Sequence, residues 1–566
     1  MAIDRHRRLT GPRAARPAGP RHRRLAGQAA RLVLLGSLGA CTVGPDYVPP
    51  HPATPVAWND TARHSTAAVT LQSDPDPRWW AGFHDPVLTS LIARTVAGNL
   101  DLQQAVLRIS EARIGEVTAR SAGLPSITGS GSYTRQQLGA RGILESQGAY
   151  RTANGLRSNQ QLEDQDPGLG GRVADAATSA LNNLSEPGNL YQAGFDASWE
   201  LDLFGRVRRS REQAGARTQA AIEGTNDALV SLIAEVAQSY AALRGAQALA
   251  QTQQENVDAA RTILALTERR WRQGLSTQLD VENQRGQVTS YEAQLQPYLR
   301  QVQQAMNRLS VLTGQPPGAL DSELAVAAPI PPTPPSVPIG LPATLARRRP
   351  DIRRAEAQLH AATAGIGVAV AQFYPDISLT GTIGVRALDT DYLTNWASHF
   401  YSIGPAISLP IFQGGRLTAN LRLARVQERE AALAYRGTVL GALQEVEDSL
   451  VAYRTDRLQQ ESLTQTVASA TTALALARNS YENGLSSFLD VLDAQRTLVQ
   501  ARQQQVQATL SLTTDLIALY KALGGGWEEN GIAQVDFVPP VEGGVERYSL
   551  DRLAGAAPPR GAAARQ

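Results

Sequence analysis

The two halves of this 566-residue chain repeat each other, and this duplication limits the possible folds more than any other feature. Five pairs of similar segments occur in the same order in both halves: 99–105 with 349–355, 124–127 with 374–377, 201–204 with 409–412, 274–276 with 484–486, and 279–281 with 489–491. Matching segments in a fixed order indicate an internal repeat. The chain is therefore predicted to contain two copies of one structural unit.

The spacing between the paired segments changes along the chain, and the change locates an insertion. The first two pairs are 250 residues apart and the third is 208 apart, so the first copy holds 42 extra residues. They are placed at about 136–191, where frequent Gly, Asn and Gln predict a long surface loop. The two copies are joined by a segment from Pro329 to Pro342 whose prolines exclude a helix within it. The predicted boundaries are a first repeat over 85–313, a Pro-rich linker over 314–342 and a second repeat over 343–526.

Each copy is predicted to contain a helix, two strands, a long helix, a break and another long helix. Apolar and polar residues alternate from Gln192 to Leu201 in the first copy and from Ile377 to Val385 in the second. A period of two over about 10 residues indicates strands with one apolar and one polar face, as in membrane-spanning strands. A soluble sheet covered by a helix gives the same alternation. Membrane strands are favoured because no nearby segment is left over to cover the sheet.

Four strands are too few to close a membrane barrel, since the smallest barrels have about eight. An open edge in lipid would leave backbone groups without hydrogen bonds. A chain with membrane strands must therefore oligomerise: two copies supply eight strands and almost no lumen, whereas three supply twelve and an open lumen. After Cys41 no run of 18 apolar residues occurs, so a membrane-spanning helix is not expected.

The helices predicted after the strands are longer than those of globular domains. No proline occurs from Arg206 to Arg272, and about 65 residues at 1.5 Å each give a helix of ~100 Å. Apolar residues at helical spacing form a stripe in each copy: Leu232, Val236, Tyr240 and Leu243 in the first, and Leu443, Val446, Leu450 and Tyr453 in the second. Such helices need packing along their length, so coiled-coil pairing is predicted and the stripes are interpreted as core.

Similar motifs break the long helices of the two copies. Gly274 and Gly484 are predicted to end one helix in a left-handed backbone conformation. A Ser or Thr followed three residues later by Asp then opens the next helix, and the two pairs are Thr277 with Asp280 and Ser487 with Asp490. The simplest role of these aspartates is helix capping and compensation of the helix dipole.

Asp490 and Asp493 allow a second interpretation. They lie three residues apart, and therefore on one face of the helix that follows the break. In a symmetric oligomer the two carboxylates would recur as rings. A carboxylate ring at a constriction favours cations and can close a pore, so a gate and a helix cap are both open interpretations of the spacing.

Positive charge is concentrated at the amino terminus. Residues 1–40 hold nine Arg and one Asp, whereas the whole chain has a net charge of only +2. A positive region, a short apolar run and small residues before Cys41 predict a secretory signal peptide over 1–40. The small residues before Cys41, with Leu38 ahead of them, resemble a bacterial lipobox, which implies cleavage and acylation at Cys41; the alternative is a buried free cysteine. Thr42 replaces the Asp that retains lipoproteins at the inner membrane, so the outer membrane is the expected destination.

Composition also excludes several classes of function. Without the signal peptide the chain carries a net charge of about −6, so basicity gives no reason to expect a nucleic-acid partner. Cys41 is the only cysteine, and the seven His form no His-Glu-x-x-His motif. An enzyme, a metal site and a cofactor are therefore not expected, apart from the diacylglycerol and fatty-acyl groups on Cys41.

Five segments together resemble one family. They are Cys41–Tyr47, Trp199–Arg206, Arg349–Glu356, Phe412–Arg416 and Tyr481–Asp493. They look like the TolC-type outer-membrane efflux proteins, and most like the lipoprotein branch of NodT or OprM type that serves resistance-nodulation-division pumps. The resemblance covers about 41–527, which is nearly the whole mature chain.

The resemblance implies a fold, partners and a gate. The fold class is α+β: each chain adds four strands to a trimeric twelve-stranded outer-membrane β-barrel, and its helices form a coiled-coil periplasmic tunnel. The partners implied are two further copies, a periplasmic adaptor, an inner-membrane resistance-nodulation-division transporter and outer-membrane lipid. The periplasmic gate residues implied are Asp490, Asp493, Tyr481 and Asp280. Some relatives carry Arg where Ser486 stands here, which puts a Tyr–Arg–Asp latch in doubt.

The function predicted is a passive exit duct in the outer membrane for a drug or small-molecule efflux pump, opened by the adaptor and the transporter. The alternative is a lipid-anchored coiled-coil protein with a structural or adhesive role in the cell envelope. That alternative predicts one block of strands, whereas strand patterns occur in both copies. The remaining segments are predicted to be an acylated extended segment over 41–84 and a partly disordered tail over 527–566.

Overall fold

The computed structural model describes residues 42–52, 54–64, 69–70, 76–137, 139–183 and 186–528. The predicted signal peptide, Cys41 and the tail after 528 lie outside these residues. Contacts divide the described chain into two compact units: the sheet unit, formed by 42–44, 118–210 and 367–421, and the helical unit, formed by 45–117, 211–366 and 422–528.

The described residues form short and long α-helices, and the long helices match in length between the two halves of the chain. They are α1 Asn59–Arg63, α2 Pro86–Gly98, α3 Leu100–Ser121, α4 Ala140–Ser146, α5 Ala149–Gly155, α6 Gln160–Glu163, α7 Leu169–Asn183, α8 Arg206–Arg272, α9 Gln278–Leu312, α10 Asp321–Leu324, α11 Pro342–Arg348, α12 Pro350–Ala371, α13 Arg416–Glu482 and α14 Phe488–Ala522. Short 3-10 helices occur at Trp79–Phe83, Leu156–Ser158, Thr390–Tyr392 and Trp396–Ser398. α3 and α12 have 22 residues each, α8 and α13 have 67 each, and α9 and α14 have 35 each. None of the helices within the described ranges has the length and apolar character needed to traverse a bilayer.

The strands form one large sheet and one short pair. They are β1 Val69–Thr70, β2 Ser126–Gln136, β3 Gly188–Glu200, β4 Val337–Pro338, β5 Asp376–Ala387 and β6 His399–Ser408. The sheet unit contains a four-stranded antiparallel sheet of order β2-β3-β5-β6. In the helical unit β1 and β4 form a short parallel pair. β2 and β6 are the edge strands of the large sheet, and each pairs with one neighbour in the part of the chain that the structure describes.

The two faces of the large sheet differ in polarity, as the alternation predicts. Trp199 pairs with Leu379 and Phe195 pairs with Ile383, so these four side chains lie on one face. The same register places further exposed apolar residues on this face: Ile127, Tyr401, Ile403 and Ile407. The other face carries Ser, Thr and Asp side chains. The sheet therefore leaves its apolar face uncovered within the described chain.

The prediction of a surface loop over 136–191 is wrong in part. The segment contains helices α4 to α7 and the first residues of β3, and α7 alone has 15 residues. Gly170 of α7 packs so closely on the 3-10 helix Leu156–Ser158 that a Cβ would lie 2.7 Å from the Leu156 carbonyl oxygen. The glycines that suggested a loop therefore include one that permits close contact between short helices.

The core of the helical unit forms where the predicted stripes meet the amino-terminal segment. Buried stripe residues are Leu232, Val236, Tyr240 and Leu243 of α8 and Val446, Leu450 and Tyr453 of α13, with Leu443 packed against them. Trp79 stacks on Tyr520 of α14 with ring centroids 5.1 Å apart. Burying each large apolar side chain contributes about 1.5–3 kcal/mol. The interpretation of the stripes as core is confirmed.

Asp85 caps α2 and links this helix to α8. Its carboxylate accepts hydrogen bonds from the backbone N–H groups of Val87 at 2.9 Å and Leu88 at 3.1 Å, and from the Tyr240 hydroxyl at 2.7 Å. Burial, followed by the hydrogen bond to Asp85, raises the pKa of Tyr240 to about 12. The hydroxyl is therefore protonated and able to donate at neutral pH.

We expect Asp85→Ala to lower the free energy of unfolding of the helical unit by about 2–4 kcal/mol, because it removes a helix cap and leaves the Tyr240 hydroxyl without its acceptor. Asp85→Asn is the matched control, since its amide oxygen can still accept at the helix end. Urea unfolding followed by tryptophan fluorescence measures the difference. Equal stability of the alanine variant and the wild type would show that the contact contributes nothing.

Candidate functional site

Two breaks interrupt the long helices of the helical unit. Break 1 spans 273–277, between α8 and α9, and break 2 spans 483–487, between α13 and α14. Gly274 and Gly484 have φ angles of +72° and +73°, in the left-handed region that other residues rarely adopt. In each break the residue after the glycine donates its N–H to a carbonyl oxygen of the preceding helix at 2.8 Å. Both glycines thus adopt the conformation that the sequence predicts.

Asp280 is held within break 1. Its carboxylate accepts hydrogen bonds from the Thr277 N–H at 3.0 Å and from the Ser276 hydroxyl at 2.9 Å. Its own N–H donates to the Thr277 hydroxyl oxygen at 3.2 Å, which completes the predicted capping box. Partial burial acts to raise the pKa of Asp280, but these hydrogen bonds outweigh it and hold the pKa below its usual value.

Asp490 makes similar contacts in break 2, whereas Asp493 does not. The Asp490 carboxylate accepts hydrogen bonds from the Ser487 N–H at 2.8 Å and from the Ser487 hydroxyl at 3.0 Å. Asp493 lies one turn further along α14, and no hydrogen bond or ion pair reaches its side chain from the described residues. Both carboxylates are exposed. Helix capping therefore gives Asp490 a role but leaves Asp493 without one.

An apolar cluster packs the helix ends on either side of break 2 against α8. Its buried members are Ile263 of α8, Tyr481 of α13, and Phe488, Val491 and Leu492 of α14. The rings of Tyr481 and Phe488 have centroids 5.6 Å apart. Because the cluster buries one face of α14, Asp490 and Asp493 lie on the exposed face of this helix.

Tyr481 makes no link to Asp280 within the described chain. Its side chain is only 7% exposed, yet its hydroxyl has no hydrogen-bond partner among the described residues. The Arg270 guanidinium lies over the ring, 4.4 Å from the centroid, and its Nη1 donates to the Tyr481 carbonyl oxygen at 3.4 Å. Arg270 is not identifiable from the sequence, because this contact spans 211 residues and depends on how α8 lies beside α13.

The segment that follows Cys41 is held at a second site, in the sheet unit. The Thr42 side chain covers Gly205, where an added Cβ would lie 2.4 Å from the Thr42 methyl group. Gly44, with φ of +93°, approaches Gly367 so closely that a Cβ would lie 2.5 Å from the Gly367 Cα. The chain is therefore fixed within a few residues of the predicted acylation site.

Tyr47 holds the continuation of this segment in the helical unit. Its ring stacks on His360 with centroids 4.2 Å apart, and its hydroxyl donates to the Glu356 carboxylate at 3.3 Å. His360 Nε2 lies 3.0 Å from a carboxylate oxygen of Glu212. Burial, then the charge of Glu356, raises the pKa of Tyr47 well above its usual value. His360 and Glu212 were not identifiable from the sequence, because both lie more than 160 residues from Tyr47.

Comparison with known proteins assigns the chain to a family. The sequence pattern described as "Outer membrane efflux protein" matches residues 91–315 and 341–525. The chain belongs to the outer membrane efflux protein family. The resemblance drawn from the five short segments is confirmed.

Relatives of this efflux protein match it over nearly their full length. Outer membrane protein OprJ of Pseudomonas aeruginosa is 33% identical over 521 residues, which cover 89% of this chain and 96% of that protein. Nodulation protein T of Rhizobium leguminosarum bv. trifolii is 31% identical over 495 residues, which cover 87% of this chain and 95% of that protein. The solved structure of the outer-membrane channel OprN is 31% identical, with a TM-score of 0.75 over 86% of this chain and 100% of that one.

Membership of the family establishes the class of function. This efflux protein lies in the outer membrane and is an exit channel of an efflux pump, as predicted. Its relatives are channels rather than enzymes, and it shares their mixture of helices and sheet. The structural or adhesive alternative loses its basis, because the relatives that match over this length are outer-membrane channels and efflux components.

Proposed function

We propose that three copies of this chain close a twelve-stranded barrel and a helical tunnel, which together form the exit duct. The large sheet is the observation on which the proposal rests: its apolar face is exposed, and its edge strands β2 and β6 lack a second neighbour among the described residues. In lipid an open edge leaves backbone groups unsatisfied. Pairing β2 of one copy with β6 of the next removes every edge, and three copies give a ring with an open lumen.

Exposed apolar stripes on the helical unit support the same assembly. The α13 stripe consists of Leu423, Val426, Leu433 and Leu440, and the α3 stripe consists of Leu100, Leu107, Ile114 and Val117. Both have heptad spacing, which is typical of helices that pair in coiled coils. α3 directly precedes edge strand β2 and α13 directly follows edge strand β6. We therefore assign the α13 stripe of one copy to the α3 stripe of the next.

The periplasmic gate is assigned to the exposed carboxylates beyond break 2. In a trimer Asp490 and Asp493 would each form a ring of three carboxylates, and such rings favour cations and restrict a narrow pore. Asp493 supports this assignment because helix capping does not explain the presence of its exposed carboxylate. Tyr481 contributes by anchoring α14 through the apolar cluster, and Asp280 contributes by ordering break 1.

Acylation of Cys41 would anchor the duct to the outer membrane. Thr42 and Gly44, which follow it, are packed against the sheet unit, so an acyl chain on Cys41 would emerge close to that unit. The energy for transport would come from an inner-membrane resistance-nodulation-division transporter, joined to the duct by a periplasmic adaptor. The duct itself would be a passive conduit with no catalytic step and no cofactor.

The paired helix lengths support a duplicated unit as the origin of this architecture. Helices of 22, 67 and 35 residues occur once in 85–313 and once in 343–526. We keep these ranges as the two repeats and 314–342 as the linker between them. The range 41–84 remains the acylated segment, but it is not extended throughout as predicted, because it includes α1 and the 3-10 helix Trp79–Phe83. The range 527–566 remains the carboxyl-terminal tail.

Deletion of the gene tests the proposed role in the cell. We expect the deletion strain to become at least about fourfold more susceptible to some compounds of a broad antibiotic and solvent panel, because an outer-membrane barrier without its duct retains them inside. A plasmid copy should restore resistance, and a copy with Cys41→Ser should show how far acylation matters. Unchanged susceptibility across the panel would count against an efflux duct.

A further inference from the structure

Arg270 occupies an unusual position in the last turn of α8. Its guanidinium carbon lies 4.4 Å from the centroid of the Tyr481 ring, and its Nη1 donates to the Tyr481 carbonyl oxygen at 3.4 Å. It thus contacts both the side chain and the backbone of one residue. Tyr481 in turn lies in the last turn of α13, directly before break 2. The pair therefore ties the end of one long helix to the end of the other.

The surroundings of the pair favour the interaction between the cation and the ring. Arg270 forms no ion pair with the described residues, and its Nε is buried without a hydrogen-bond partner. Tyr481 is nearly fully buried. The attraction between a cation and an aromatic face is stronger where water is excluded than at an exposed site. Among the described residues, the ring and the carbonyl oxygen of Tyr481 are therefore the groups that compensate the charge of Arg270.

The hydroxyl of Tyr481 has no comparable role. It has no partner within the described ranges, and the carboxylate of Asp280 is already engaged by Thr277 and Ser276. Ser486 cannot supply a cation to this region, and its own hydroxyl is also without a partner there. Arg270 is the cation that lies against Tyr481 instead.

We propose that Arg270 is a positioning residue of the gate: its contact with the Tyr481 ring and carbonyl group holds break 2 beside α8 and so keeps the tip closed. This inference rests on the proposed gate at Asp490 and Asp493. Opening requires the end of α13 to move away from the end of α8, which separates the guanidinium from the ring. The aromatic ring of Tyr481, and not its hydroxyl, is the part that acts.

Single-channel recording of the purified full-length protein in planar bilayers tests this proposal. We expect Arg270→Leu and Arg270→Gln each to raise the mean conductance about fivefold, since loss of a cation–π contact shifts the closed state by roughly that factor. Arg269→Leu is the matched control, because the neighbouring Arg269 is exposed and its loss removes the same charge. It should leave the conductance unchanged. If the leucine variant fails to assemble, the glutamine variant decides, because glutamine can still donate to the Tyr481 carbonyl oxygen.

Tyr481 variants separate the ring from the hydroxyl. Tyr481→Phe should conduct like the wild type, whereas Tyr481→Leu should conduct like Arg270→Leu. Wild-type conductance of both Arg270 variants, or a leak in Tyr481→Phe as large as that in Tyr481→Leu, would overturn the proposal. Asp490→Asn with Asp493→Asn, recorded in parallel, keeps the two ideas apart. If the aspartate variant has a changed conductance and the Arg270 variants do not, the role of Arg270 is rejected and the gate at Asp490 and Asp493 is retained. If the conductance of neither changes, the gate itself is rejected.

Discussion

Replacing Asp490 and Asp493 together by Asn is expected to reduce the preference of the channel for cations about fivefold or more, and to raise its conductance. Each carboxylate within about 4 Å of a passing ion contributes ~1 kcal/mol even at the dielectric constant of water, and a trimer would place six of them at the tip. Asn keeps the size of the side chain and can still accept the Ser487 hydrogen bonds. Loss of charge is therefore separated from loss of the helix cap. Reversal potentials in a salt gradient measure the preference.

The control for the aspartate pair is a second pair of exposed acids on α9. Glu282 pairs with Arg285, and Glu292 pairs with Arg261. Exposed ion pairs of this kind contribute little to the stability of the folded protein. Glu282→Gln with Glu292→Gln changes the net charge by the same amount and should leave selectivity unaltered. Equal selectivity of the aspartate variant and the wild type would remove Asp490 and Asp493 from the gate.

The second large effect is expected on assembly. Leu433, in the middle of the α13 stripe, is 69% exposed in the single chain. If the α3 stripe of a neighbouring copy covers it, Leu433→Glu forfeits about 1.5–3 kcal/mol of apolar burial at each of three interfaces and forces a charge into each. We expect the trimer to give way to monomer. Native mass spectrometry of the detergent-solubilised protein measures the two populations.

Ile143→Glu is the control for the assembly prediction. Ile143 is an exposed apolar residue of α4, outside both stripes, so this variant should form trimers like the wild type. Trimers of Leu433→Glu in wild-type yield would contradict the assignment of the stripes to an interface between copies. The barrel pairing of β2 with β6 would then have to hold the assembly without them.

The elements of the fold could be predicted where a local pattern determines them. The period of two from Gln192 to Leu201 predicts β3 because each side chain points to the face opposite its neighbour's. The absence of proline predicts α8, whose bounds are Arg206 and Arg272 as expected. Gly274 predicts the end of a helix because only glycine adopts the left-handed conformation without strain.

The sequence was less informative where distant segments meet. The helices within 136–191 are not predictable from composition, because frequent glycines favour a loop, whereas Gly170 serves close packing on Leu156. The contact of Arg270 with Tyr481 could not be predicted, because it depends on two helix ends that lie 211 residues apart. The spacing alone could not distinguish a helix-capping role from a gating role for these aspartates. The hydrogen bonds show that Asp490 caps α14 and that Asp493 does not.

We propose that the duct exists only in the oligomer, and current through separated oligomeric states tests this most directly. The purified protein is fractionated into trimer and monomer, and equal amounts of each are inserted into planar bilayers. We expect discrete, cation-preferring current steps from the trimer and none from the monomer. Current of the same size from the monomer, or no current from an inserted trimer, would contradict it.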